Sequence, residues 1–280
     1  MIASAKKSTN VIIIVVLSVL AVLFMVPMFL VLINSFKSRL FISAEPFSFP
    51  TEETFVGLEN YINGLNSSGF FAAFGRSLFI TVFSVLLIVI CTAMTSWYII
   101  RIKNALTKTL YYAFVFSMIV PFQMVMFTMT YIVGELKLNN VFGIVFVYLG
   151  FGAGLSVFML SGFVKSIPLE IEEAATIDGC NPLQCFFRVV FPILKPTAIT
   201  VAILNAMWIW NDYLLPYLVL GTDNKTIPVA IQLAMQGAYG STDMGGFMAM
   251  LVLAIIPIIV FYLACQKHII KGVIAGAVKG

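Results

Sequence analysis

The sequence predicts an all-α membrane protein of six transmembrane helices, with both termini cytoplasmic and a cytoplasmic helical hairpin between helices 4 and 5. Three observations carry this. The 280 residues are 61% hydrophobic and only 10% charged, whereas soluble domains carry about 25% charged residues. The apolar residues gather in stretches near the roughly 20 residues that an α-helix needs to cross a hydrocarbon core about 30 Å thick. One long polar stretch, LEIEEAATIDGCNPLQCFFRVVFPILKP from Leu169 to Pro196, interrupts them. The net charge of +4 is small and spread along the loops. It implies no nucleic-acid partner; the surroundings that the composition implies are the lipid bilayer.

The first span is expected at residues 11–33, which contain no charge. It is longer than the apolar core of a signal peptide, roughly 7–15 residues, and is expected to be retained. The second is expected at 78–100, and the third at 110–133 with Pro121 interrupting it. The fourth, at 141–164, is rich in glycine (Gly143, Gly150, Gly152, Gly154). The fifth is expected at 197–220 after Pro196, and the sixth at 247–265. Together they make residues 1–280 a single transmembrane domain, with a loop at 166–196 and a tail at 267–280.

Basic residues set the orientation, because short cytoplasmic loops carry an excess of lysine and arginine. With the N-terminus inside, the inner segments hold Lys6, Lys7, Arg101, Lys103, Lys108, Lys165, Arg188, Lys195, Lys267, Lys271 and Lys279. The outer segments hold only Lys37, Arg39, Arg76, Lys137 and Lys225. The bias places both termini and the polar loop in the cytoplasm. The first outer loop, about 38–75, exceeds what a connector needs and carries Phe47, Phe49, Phe55 and Tyr61. Loops this long are usually functional or disordered, and its aromatics argue for a packed cap. Such a cap either faces an extracellular partner or lies over the bundle.

The polar loop reads as two short helices. Ser166 and Pro168 precede the first, whose early turns hold Glu170, Glu172 and Glu173, where the positive end of the helix dipole favours acids. Gly179 stops it, because glycine adopts the left-handed conformation at low cost. Asn181 as N-cap and Pro182 at the first helical position start the second. Leu183, Phe186, Phe187 and Val190 then fall on one helical face, and Pro192 and Pro196 are expected to end this helix before the fifth span. Ala174, Ala175 and Gly179 keep the bend narrow, which allows close approach of another surface.

The combination Glu173-Ala174-Ala175, Asp178-Gly179 and Phe191-Pro192 resembles the cytoplasmic EAA loop of the membrane subunits of ATP-binding-cassette importers. SIPLEIEEAATIDG is similar to the version found in carbohydrate importers of the maltose and multiple-sugar type. WIWNDYLLPYL resembles their fifth-span motif, and the tail HIIKGVIAGAVKG resembles their short glycine-rich tail; the first outer loop resembles the family loosely, at Gly57-Leu58-Glu59-Asn60-Tyr61.

The resemblance implies a permease subunit, multi-pass in a bacterial cell membrane, importing a sugar or oligosaccharide. It implies a heterodimer with a second permease, two ATPase subunits, and an extracellular sugar-binding protein that delivers the cargo. No cofactor is expected in this chain; ATP and magnesium belong to the partner ATPase. It also implies an ATPase-coupling role for Glu170, Glu173, Ala174, Ala175, Asp178, Gly179 and Pro182. The alternative is an amphipathic hairpin that only orients the spans around it. Lys271, Gly272, Gly276 and Lys279 would form a mobile arm toward the ATPase, the alternative being a frayed terminus.

Within the spans, Asp212 is the only acid, and an intramembrane charge is a functional flag by default. Asn205, Trp208 and Asp212 fall at i, i+3 and i+7, on one face expected to look into the bundle. Gln123 beside Pro121 is a second polar group, with Met118, Met124, Met126 and Met129 as an adaptable surface nearby. Gln123, Asn205, Trp208, Asn211 and Asp212 either line a sugar pathway or tie spans together.

Other chemistry is not indicated. There is no GxxxxGK[ST] phosphate loop, no HExxH and no nucleophile–base arrangement. The four cysteines, Cys91, Cys180, Cys185 and Cys265, have no metal-site spacing, and the sole histidine is His268. The chain is therefore expected to be a non-catalytic transport subunit. A secondary carrier or a channel working as a homo-oligomer is the alternative, though a lone aspartate supports a carrier poorly.

Overall fold

A computed structural model describes residues 2–236 and 243–277, with side chains at 11–66, 68–236 and 243–267. The elements run α1 (Ile2–Asn34), α2 (Arg39–Ala44), α3 (Glu59–Ser68), α4 (Phe70–Arg101), α5 (Ala105–Ser117), α6 (Phe122–Glu135), α7 (Gly143–Val164), α8 (Leu169–Ile177), α9 (Pro182–Cys185), a π-helical segment (Phe186–Val190), α10 (Phe191–Asn211), α11 (Leu214–Leu220), α12 (Ile227–Met235) and α13 (Met244–Ala277). Among the described residues the only strand-like pairing is an isolated bridge between Lys37 and Phe55. Among the described residues, five helices are long and apolar enough to cross a membrane: Val11–Asn34, Phe70–Arg101, Gly143–Val164, Pro182–Asn211 and Met244–Lys267. A sixth crossing exists if the bent pair α5 and α6 is one span.

The chain divides into two compact units. The first comprises Met1–Phe71 and Ile231–Pro257, and in it the segment after α1 is packed and hydrogen-bonded. Lys37 has no exposed surface; its ammonium donates to the Glu45 carbonyl (2.8 Å) and the Ser48 hydroxyl (3.1 Å). Burial pushes the Lys37 pKa down, and Glu45 partly offsets this. Asn60 Nδ2 donates to the carbonyls of Ser35 and Lys37 at 2.9 and 2.8 Å. The Phe36 ring stacks on Phe55 and leans on Tyr61. Gly64 and Gly246 let α3 and the start of α13 approach closely, since a Cβ on Gly64 would stand 2.9 Å from the Gly246 carbonyl oxygen. Phe47, Phe49 and Leu58 stay exposed.

The second unit, Ala72–Ala230 with Ile258–Gly280, has two buried clusters. One gathers Val89 and Ala93 of α4, Leu160 and Val164 of α7, Ala175 of α8, and Phe186, Val190 and Leu194 of the second hairpin helix and α10. The other gathers Ile80 and Ile88, Val133, Ile144 and Tyr148, Ile209, and Leu215 and Val219.

The third segment breaks sharply: α5 and α6 are bent by 110° at residues 118–121, as one broken span or a re-entrant loop. Pro121 lacks an amide proton and disfavours a helical residue before it, so it opens α6 as N-cap instead. The second hairpin helix does not end at Pro192 and Pro196 but continues through both into the fifth span. The π-helical segment makes this possible. A proline ring clashes with the carbonyl four residues earlier, which for Pro192 is that of Arg188, inside the widened π turn.

The fifth span in turn ends at Asn211, and α11 is a separate short helix. At the C-terminus the helical backbone runs through Ala277 and includes Lys271, Gly272 and Gly276 of the tail. Lys279 lies outside the described residues.

Candidate functional site

The first site is the hairpin, entirely within the second unit. Pro168 caps α8 in an extended conformation. Gly179 closes it at φ +84°, and among the described residues other than Gly179 and its two neighbours nothing lies within 4 Å of where its Cβ would be. The Cys180 amide donates back to the Ala175 carbonyl at 3.0 Å. Asn181 then forms a reciprocal capping box, its Oδ1 accepting from the Gln184 amide while Gln184 Oε1 accepts from the Asn181 amide. Pro182 occupies the first turn.

The hairpin is fastened by a group that the sequence reading left off its candidate list. Glu172 is 6% exposed. Its Oε1 accepts from Nε and Nη2 of Arg101 at 2.8 and 2.6 Å, and its Oε2 from Trp97 Nε1 at 2.8 Å. The same guanidinium donates to the Ile167 carbonyl at 2.9 Å. The first turn of α8 is thus bolted to the last two turns of α4, and the Trp97 ring also packs on Phe186. A tryptophan and an arginine four residues apart at a span end are the signal that would have pointed to a buried acid.

The remaining acids face out. Glu170, Glu173, Ala174, Asp178 and Pro182 are exposed, and Ala175 is buried against the core. The expected single apolar face splits in two. Phe186 and Val190 are buried, while Leu183 and Phe187 are 58% and 48% exposed, and Ile177 at the end of α8 is 86% exposed. The hairpin therefore presents a bare apolar ridge flanked by carboxylates.

The second site is a cavity of about 500 Å³ lined by Gln123, Phe122, Phe151, Asn205, Trp208 and Asp212, among others. It brings together four of the five polar and aromatic residues expected there. Asn211 is not among them; it is exposed and donates to the Met207 carbonyl of its own helix. Asp212 lies just past the end of α10. Its Oδ1 accepts from the Leu214 and Leu215 amides at 3.0 and 3.4 Å, and its Oδ2 from the Tyr148 hydroxyl at 3.1 Å. Trp208 meets Tyr148 edge-on at 5.4 Å.

Asn205 donates to Ser156 Oγ (3.1 Å), tying α10 to α7. This approach needs Gly152, where a Cβ would stand 2.7 Å from Asn205 Oδ1 and 2.6 Å from Ile88 Cδ1. Gly152 and Ser156 stand one turn apart on the face of α7 that also carries Tyr148, and small residues at that spacing are typical of close helix contacts in membranes.

An all-helical chain with this many apolar helices, a clamped polar hairpin and an interior polar cavity is built as a membrane transport component. Residues 98–275 match the family described as binding-protein-dependent transport system inner membrane component, and the chain belongs to it. It is 38% identical to the probable starch degradation products transport system permease protein AmyC of Thermoanaerobacterium thermosulfurigenes, over 93% of this chain and 94% of that one. It is 35% identical to the multiple sugar-binding transport system permease protein MsmG of Streptococcus mutans, over 95% of each. Among solved structures, a chain of a bacterial ABC transporter involved in the import of the acidic polysaccharide alginate shares the fold. The TM-score is 0.77 at 22% identity, with 94% of this chain and 97% of that chain covered.

Proposed function

We propose that this chain is one membrane-spanning permease subunit of an ATP-driven importer that moves a sugar or oligosaccharide across a bacterial cell membrane. The cargo would be delivered by an extracellular binding protein. The family and the sugar-transport names of its relatives support the class. The basic residues that favour one side support cytoplasmic termini and a cytoplasmic EAA loop at 166–196. In this reading the hairpin docks on one of two ATPase subunits, which supply ATP and magnesium, and a second permease completes a heterodimer. Glu170, Glu173, Ala174, Ala175, Asp178, Gly179 and Pro182 form or shape the docking element. Gln123, Asn205, Trp208 and Asp212 border the cargo pathway, with aromatic faces for sugar rings and amides and a carboxylate for hydroxyls; Asn211 would contribute only from outside the cavity.

The observation that carries the reading is the apolar ridge of Ile177, Leu183 and Phe187, bare on a hairpin whose opposite side is buried and ion-paired. An exposed apolar patch rimmed by polar residues marks an interaction site. The test is mass spectrometry of whatever co-purifies with the tagged chain from mild detergent. A second polytopic permease and a phosphate-loop ATPase are expected, and the ATPase alone should be lost when Leu183 and Phe187 are changed to glutamate. A chain that purifies only with copies of itself would overturn the proposal.

A further inference from the structure

A second cavity, of about 520 Å³, opens where three candidate spans end, at the last residues of α4, the first turn of α5 and the residue after α7. Ile99, Ile100, Lys103, Asn104, Lys108, Tyr111 and Lys165 line it. Its three lysines face no carboxylate within ion-pair distance among the described residues. Lys165 Nζ stands 5.5 Å over the Tyr111 ring, which fixes one cation at the rim. Lys103 and Lys108 flank the N-terminus of α5, whose dipole already presents positive charge there. Cations at that end are electrostatically unfavourable for the helix alone. Membrane topology asks only for basic residues on one side, not for three of them to converge on one pocket.

The surroundings decide the ligand's chemistry. Ile102, Leu106 and Leu110, next to the lysines in sequence, are 41%, 61% and 37% exposed. A basic pocket at the level of the span ends, bordered by apolar side chains open to acyl chains, matches an amphiphile with an anionic head. We infer that this cavity holds the phosphate headgroup of an anionic phospholipid such as phosphatidylglycerol, clamped by Lys103, Lys108 and Lys165. A lipid there would tether the α4–α5 turn to the end of α7, the segment that leads into the hairpin. The inference does not depend on the identity of the cargo or of the ATPase.

The test is native mass spectrometry of the membrane-extracted assembly containing this chain, titrated at low salt with phosphatidylglycerol or phosphatidylcholine. Wild type is compared with a triple Lys→Gln and a triple Lys→Arg variant at 103, 108 and 165. Juxtamembrane lysines contribute about fivefold each to anionic-lipid binding. The Gln triple is expected to lose phosphatidylglycerol on the order of a hundredfold while the Arg triple retains it, and phosphatidylcholine should bind weakly to all three. Equal retention by the Gln triple, or equal loss in both triples, would overturn the inference. So would inorganic phosphate that displaces the lipid with the same lysine dependence, which would assign the pocket to a soluble phosphate compound. Should the Gln triple fail to assemble, the single variant Lys108→Glu, expected to lower lipid binding more than tenfold in a folded assembly, decides the matter.

Discussion

Breaking the Arg101–Glu172 clamp should loosen the hairpin, and the structure sets the size of the effect. The Glu172 side chain is 8% exposed and that of Arg101 18%. Removing one member of a buried ion pair costs about 3–5 kcal/mol, because the other charge is left buried and uncompensated. Arg101 keeps the Ile167 carbonyl as an acceptor, so Glu172→Met belongs near the low end. Stranding the Trp97 indole N–H adds about 1 kcal/mol or more. We expect about 3–4 kcal/mol for Glu172→Met and about 3 kcal/mol for Arg101→Met. The double variant should cost much less than their sum, since two apolar side chains of similar volume remove both charges together. Equilibrium unfolding of the purified chain in mixed micelles gives all three values, and the cycle should return a coupling of at least about 2 kcal/mol. Singles within about 0.5 kcal/mol of wild type, or singles that simply add, would refute the clamp. In cells, Glu172→Met should also lower uptake more than it lowers the amount of chain in the membrane.

Other substitutions probe the bend, the cavity and the segment after α1. Gly179→Val should leave the complex assembled but uncouple transport from ATP hydrolysis, because a β-branched residue resists φ +84° by more than the roughly 1–2 kcal/mol of the left-handed region; normal uptake would contradict this. Gly179→Asn tolerates that backbone, so its uptake separates a conformational need from a need for a bare contact surface. Gly152→Ala places a Cβ 2.6 Å from Ile88 Cδ1 and 2.7 Å from Asn205 Oδ1; overpacking of this kind costs about 1–3 kcal/mol, and an unchanged thermal midpoint would refute the close α7–α10 approach. Lys37→Met tests the segment after α1 by pH. Because the folded-state pKa of Lys37 is lowered by burial, the unfolded chain holds its proton to higher pH. Wild-type stability should therefore climb as pH rises through the lowered folded value toward the ordinary 10.5. The methionine variant should lack that climb, and parallel pH profiles would exclude the burial argument.

What the sequence showed was local. The Asn181 cap, Pro182 in a first turn and the left-handed Gly179 each follow from the residue itself and its immediate neighbours, and the structure has all three. Runs of apolar residues pointed to the long apolar helices but not to their ends, the fifth running Pro182–Asn211 where 197–220 was expected. Which of three acids turns inward was not legible. Glu170, Glu172 and Glu173 share the first turns of one short helix, and only Trp97 and Arg101, some 70 positions away in the chain, select Glu172. Helical spacing placed Asp212 on the face of Asn205 and Trp208, yet Asp212 lies past the helix end and reaches the cavity because it caps α11 and holds Tyr148. The prolines misled for a related reason. A π turn, a feature of packing rather than of propensity, absorbs Pro192 and lets the helix run on.

That continuity changes how the two sites relate. A hairpin ended by prolines would be a separate module, able to shift without moving the fifth span. Here Leu183 and Phe187 of the exposed ridge, and Trp208 of the cavity, stand on one run of helix, Pro182–Asn211. At 1.5 Å per residue the distance from Leu183 and Phe187 to Trp208 along it is roughly 30–38 Å. A partner pressing on the ridge would push on the near end of that rod, while the Glu172 clamp holds α8 to α4. Strain would then appear at the two weak points of the path: the π turn at Phe186–Val190, where the regular bond pattern is already broken, and the Asp212 cap, where the rod ends against Tyr148 and α11. Motion delivered to the cavity by this route depends on the rod staying stiff, so in the proposed transport cycle the π turn is the place where a flexible substitution should do the most damage.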